Sequence, residues 1–248
     1  MPDADLIALL AAVTLAYTAA GALGFGANVL SVALAAHVLP VDRILPAILP
    51  TSLMLSGWIA WRQRSHLAGR LLGQEILPLA ALGFPVGLLV FEGADTAWLQ
   101  RGLGAVLAGL ALLGLVAARS AAGGERPPLP RAATRALLVG GGFIQGLFAS
   151  GGPLVVYALS RRGLDKGAFR ATLCVLWVLL NSVLLVSYGL NGRLGAQSAQ
   201  LTAWVVPAMV IGLAVGQRLH DRMDGAAFRL AIDAVLLLSG VVLVLRGG

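Results

Sequence analysis

Two glycine-rich stretches hold the residues best suited to chemistry in this chain. The first reads Gly21-Ala-Leu-Gly-Phe-Gly-Ala-Asn-Val-Leu30; the second, 125 residues on, reads Gly146-Leu-Phe-Ala-Ser-Gly-Gly-Pro-Leu-Val155. Glycine admits positive φ and lets another backbone or a ligand approach closely. Each stretch leads into a short apolar segment that Asn28 or Pro153 would open, since Asn caps helix N-termini and Pro suits a first helical turn. A helix N-terminus presents free N–H groups and a partial positive charge, a ready anion site. The candidate ligands are therefore backbone groups at Gly24, Gly26, Ala27 and Asn28, and at Gly151, Gly152 and Pro153. Brought together by pseudo-twofold symmetry, the two turns would cradle one anion without a cation. The competing reading is that the glycines only let helices pack closely, as Gly83-xxx-Gly87 and Gly212-xxx-Gly216 are expected to do.

Polar side chains inside apolar segments add candidates. Thr51, Ser52 and Ser56 lie in the third segment, and Asn181 and Ser182 in its repeat counterpart. Ser52 and Ser56 stand four apart and share a helix face. Interior Ser and Thr often only bond their own helix backbone. Asn181 is costlier in lipid and must face a partner or a cavity. Gln145 and Ser150 flank the second turn. Asp233 is a candidate proton carrier, although Arg229 nearby makes a plain ion pair the stronger reading. Glu75 reads as an interfacial residue near Arg70, and His37 as a group able to couple to protons.

Enzyme and cofactor chemistry find no motif. The chain lacks a Walker A sequence, the three histidines have no metal-ligand spacing, and Cys174 is its one cysteine. No enzyme activity, metal or cofactor is expected. Hydrophobic residues make up 58% and charged residues 12%, about half the charge of a soluble domain, so the elements are membrane helices. A β-barrel is excluded because the apolar runs are continuous rather than alternating. Excess Lys and Arg sit in short loops without a basic–aromatic patch, which argues against nucleic acid. The acidic start, Met1-Pro-Asp-Ala-Asp5, lacks the basic region of a signal peptide, so the first segment is expected to be retained.

The elements that must position these residues form two similar halves. Apolar segments run over about 5–22, 27–39, 44–61, 71–91 and 97–118, then about 134–148, 153–160, 168–189, 198–217 and 226–245. The halves are taken as 1–120 and 133–248, with an Arg-, Gly- and Pro-rich linker at 121–132. Ser56 aligns with Asn181, Leu77-Pro78 with Val206-Pro207, and Gly83 and Gly87 with Gly212 and Gly216. The second segment of each half is too short to cross a core of about 30 Å, so each half is expected to begin with a Gly-broken helical hairpin and continue with three transmembrane helices. Counting five segments per half places 14 of the 18 Lys and Arg on one face. The positive-inside rule then predicts two inverted repeats with both termini on the non-cytoplasmic side.

The pattern Gly21-Ala-Leu-Gly-Phe-Gly followed by Val41-Asp-Arg-Ile-Leu-Pro-Ala-Ile-Leu-Pro-Thr-Ser52 resembles the sulfite exporter TauE/SafE family. So does the second copy, with Lys166-Gly-Ala-Phe-Arg-Ala-Thr172 and Asn181-Ser182 after its turn. The resemblance covers essentially the whole chain. Asn28, Pro50, Leu173 and Cys174 depart from the family's pattern. The resemblance implies transport of small sulfur-containing anions such as sulfite or sulfonates. The expectation is an all-α polytopic secondary transporter of the inner membrane that works by alternating access. Its anion would be bound by Gly24, Gly26, Ala27, Asn28, Ser52, Ser56, Ser150, Gly151, Gly152, Pro153 and Asn181. Expected partners are the anion and the lipid bilayer, with protons as a candidate coupling ion and a homodimer as a candidate assembly. An anion channel is the nearest alternative, and an assembly or sensor subunit the non-transport one.

Overall fold

Prolines, glycines and charges cut the apolar runs into helices in the computed structural model, which describes residues 3–23, 27–119, 129–220, 236–238 and 240–245. The first half gives α1 (Asp3–Leu23), α2 (Ala27–Ala35), α3 (Val41–Arg62), a short α4 (Gly69–Leu71), α5 (Leu77–Gly93) and α6 (Thr96–Arg119). The second gives α7 (Arg131–Phe148), α8 (Gly152–Leu159), α9 (Lys166–Leu190) and α10 (Ala196–His220). Four stretches are long and apolar enough to cross a membrane: Val41–Arg62, Gly69–Gly93, Lys166–Leu190 and Ala196–Arg218. No strand occurs among the described residues.

Local chemistry sets the ends. Asp165 caps α9 by accepting the Ala168 N–H at 2.9 Å, which holds its carboxyl below the usual carboxylate range. Pro153 sits in the first turn of α8, where its missing N–H costs nothing. A π-helical turn, Leu72–Ile76, joins α4 to α5 and carries Gln74 and Glu75. The helix α10 runs to His220, a few residues beyond the apolar segment expected to end at about 217. Asp233 and Arg229 lie outside the described residues, as do Gly24 and Gly26.

The chain divides into two compact units, each drawn from both halves of the sequence. Unit 1 holds residues 1–51, 94–124 and 193–248; unit 2 holds 52–93 and 125–192. The helix α3 passes from one to the other between Thr51 and Ser52.

In unit 1, α10 lies along α1, where a methyl on Gly212 would meet the Thr14 carbonyl at 2.6 Å. Gly104 of α6 faces Gly240 in the same close manner. The buried Tyr17 hydroxyl lies 3.2 Å from Thr51 Oγ1. Thr51 spends its own proton on the Ile48 carbonyl, so Tyr17 is the donor between them.

In unit 2, α5 lies along α7 through glycines on both sides. Methyls built on Gly83 and Gly87 would fall on the Val139 and Phe143 carbonyls; on Gly142 and Gly146 they would fall on the Ala80 and Phe84 carbonyls. These four glycines set the helix spacing, as small residues do in membrane seams. The Gly83-xxx-Gly87 packing expected from sequence is therefore present.

Candidate functional site

The second glycine turn is built in unit 2 from the end of α7 and the start of α8. Val155 lies against Gly141, so α8 folds back along α7 as a hairpin. At eight residues, α8 spans roughly 12 Å. The positive φ expected of the glycines belongs instead to Ala149 (φ 51°), which ends α7, while Gly151 has an ordinary φ of −66°. Gly151 is required for another reason. A methyl there would fall on the Gly141 carbonyl and 2.9 Å from Gln145 Cβ. Gly152 is less crowded, with only Trp177 Cζ2 nearby, 3.9 Å from such a methyl.

A buried run of hydrogen bonds leads from this turn into the unit. The Gly151 N–H donates to Gln145 Oε1 at 3.0 Å. Gln145 Nε2 donates to Asn181 Oδ1 at 2.6 Å, and Asn181 Nδ2 donates to Ser52 Oγ at 3.3 Å. Each amide accepts on the turn side and donates on the α3 side, so their dipoles align and reinforce one another. Gln145, Asn181 and Ser52 are 2%, 0% and 6% exposed, too little for water to replace a lost partner. Leaving one such group unpaired costs about 1–3 kcal/mol, so the four groups hold one another in place. Ser150 is buried beside them and donates to the Phe148 carbonyl at 2.9 Å.

Unit 2 thus brings together Ser52, Ser150, Gly151, Gly152, Pro153 and Asn181. Ser56 is buried one turn farther along α3, beyond this run of bonds, and Ser182 bonds the Val178 carbonyl of its own helix. Ala27 and Asn28 belong to unit 1, where α2 already begins at Ala27, so Asn28 lies inside the first turn rather than before it. Six of the nine α2 residues are buried, in keeping with a half-helix enclosed by protein. Gln145 emerges as the centre of the cluster. Its position one turn before the break, in an apolar run, was the sequence signal. Trp177 carried no such signal, because a tryptophan in an apolar helix reads as packing.

The charged residues arrange themselves away from the turn. Glu75 pairs with Arg162 in the loop after α8, not with Arg70, whose Nε donates to Gln74 instead. Proximity in sequence misled here, because the π-turn directs Glu75 toward a residue 87 positions away. At the far end of α5, Glu92 accepts from Ser187 and Asn191 of the α9 end. His37 is half-buried at the end of the α2 segment. No group of three or more His, Cys, Asp or Glu able to hold a metal occurs among the described residues.

Secondary transporters often build their substrate sites from helices broken inside the bundle, as α7 and α8 are at this turn. The family model for the sulfite exporter TauE/SafE matches residues 9–243. The chain belongs to that family. It is a membrane transporter with multiple apolar helices. It is 28% identical over 191 residues to the probable inner membrane transporter protein TsaS of Comamonas testosteroni, covering 77% of each chain. No solved structure matches it.

Proposed function

We propose that this chain is a secondary transporter of the inner membrane that moves sulfite, a sulfonate or a related small organosulfur anion by alternating access. The observation that carries this reading is the relay Gly151–Gln145–Asn181–Ser52, which ends on a backbone N–H at the start of the broken helix α8. Polar groups of this kind are costly in an apolar bundle and mark substrate paths. Neutral donors suit a small anion that must also be released. The anion would take N–H groups at Gly151 and Gly152, the hydroxyls of Ser52, Ser56 and Ser150, and the Asn181 amide, with Pro153 fixing the start of α8. The repeat gives Gly24, Gly26, Ala27 and Asn28 the same role in the first turn.

Two further observations support an inverted repeat with both termini on the non-cytoplasmic side. Lys and Arg divide 14 to 4 between the two sets of loops that five segments per half create. The helix pairing is also reciprocal: α5, in the fourth segment of the first half, packs on α7, and its counterpart α10 packs on α1. The name of the TsaS relative agrees with inner-membrane transport. Reconstituted in liposomes, the protein should carry labelled sulfite saturably and show counterflow. Asn181→Leu should lower that flux at least tenfold while the protein still inserts and purifies as a single species. Normal sulfite flux in Asn181→Leu would remove the site assignment, and flux without saturation or counterflow would make the protein a channel.

A further inference from the structure

The donor that an anion at the second turn would claim is already occupied. Gln145 Oε1 accepts the Gly151 N–H at 3.0 Å, the same N–H that the proposed function gives to the anion. The carboxamide reaches there from the last turn of α7 and is steadied from behind by Asn181, at 2.6 Å from its Nε2. We propose that Gln145 is an internal ligand of the turn: it stands in for the anion's oxygen in the substrate-free carrier and swings aside when an anion arrives. The inference rests on the transporter reading above.

The physical reason lies in the transport cycle. A carrier that catalyses net transport must return across the membrane without its substrate. A backbone N–H left buried and unpaired on that return costs about 1–3 kcal/mol and slows the step accordingly. An amide oxygen satisfies the N–H without adding charge, so it does not repel the next anion as a carboxylate would. The relay geometry makes this switch local. Gln145 can leave Gly151 by rotating about its own side-chain bonds, with α7 and α8 held by the close approach of Gly151 to Gly141. Gln145 is accordingly a positioning residue for the substrate-free state rather than a fixed part of the anion shell.

The test compares two rates in the same liposomes: net efflux of labelled sulfite, which needs the empty return, and sulfite–sulfite exchange, which does not. Gln145→Met keeps the length and removes both hydrogen bonds. The ratio of exchange to net efflux should rise about tenfold over wild type, the factor that an unpaired N–H implies. In Gln145→Asn, whose amide is one methylene short, a smaller rise is expected. That variant carries the same ratio test if Gln145→Met does not insert. An unchanged ratio, with both rates falling together, would overturn the inference and leave Gln145 a structural residue. A wild-type protein that moves no sulfite in either mode would remove the sulfite reading of the proposed function, and this inference with it.

Discussion

In unit 1, α10 rests on α1 through Gly212, and the buried polar atoms include the hydroxyl pair of Tyr17 and Thr51. In unit 2, α5 rests on α7 through four glycines, and the buried polar atoms beyond that seam are the amides of Gln145 and Asn181. At the repeat spacing Gln145 corresponds to Ala20 and Asn181 to Ser56. The seams are alike and the polar chemistry is not. A hydroxyl pair that closes on its own helix carbonyl has no donor left for a ligand. An amide relay has exchangeable ends, because each carboxamide both accepts and donates. The two units share the packing and differ in the polar pairs buried beside it, hydroxyls in unit 1 and amides in unit 2.

The seams give the largest expected effects. Gly142→Leu should leave little monodisperse protein in detergent, since even its Cβ would fall on the Ala80 carbonyl; roughly 3 kcal/mol or more is at stake. Gly212→Leu should cost less, roughly 1–3 kcal/mol, because its nearest neighbours are 2.6–3.1 Å away. Equal losses in size-exclusion recovery would erase the difference between the seams. The polar sets come next. Against the tenfold loss of flux in Asn181→Leu, Tyr17→Phe should keep sulfite flux and lose about 1 kcal/mol in denaturant unfolding. A matching flux loss in Tyr17→Phe would show that the unit 1 hydroxyls share the work.

Within the turn, Gly151→Ala should destabilise the protein and Gly152→Ala should not, although both keep the backbone N–H. Trp177 makes the second variant readable, since a methyl at Gly152 would touch its ring and shift its fluorescence. A stable Gly151→Ala would dissociate the turn from Gly141. The smallest effect concerns Asp165. Its folded carboxyl titrates below the ordinary value because the Ala168 N–H bonds the ionised form. Its stabilisation is therefore complete above the unfolded carboxylate pKa and fades as pH falls through the lower folded value. Thermal unfolding of Asp165→Ala and wild type should differ at neutral pH and converge in acid.

Much of this was legible in the residues. Continuous apolar runs bounded by Pro, Gly and charge foretold the helices to within a few residues, and two segments too short to span foretold the half-helices. Gly83 and Gly87 announced a close seam, and Asn181 in an apolar segment announced a polar partner. The identity of partners was not legible. Asn181 meets Gln145 and Ser52, 36 and 129 positions away, and Glu75 meets Arg162 rather than its near neighbour Arg70. Periodicity reports which face of a helix is apolar, while a hydrogen bond depends on where a second helix has come to lie.

The sequence by itself determined that the chain is a bundle of membrane helices whose apolar runs are interrupted at two glycine-rich stretches, because hydropathy, length and backbone freedom are local properties. Tertiary structure decided how the second break is used. It placed the positive φ at Ala149, assigned Gly151 to the close approach of α7, and laid the Gln145 amide on the Gly151 N–H. Those outcomes follow from helix–helix distance, which a glycine permits and which only the packed fold sets.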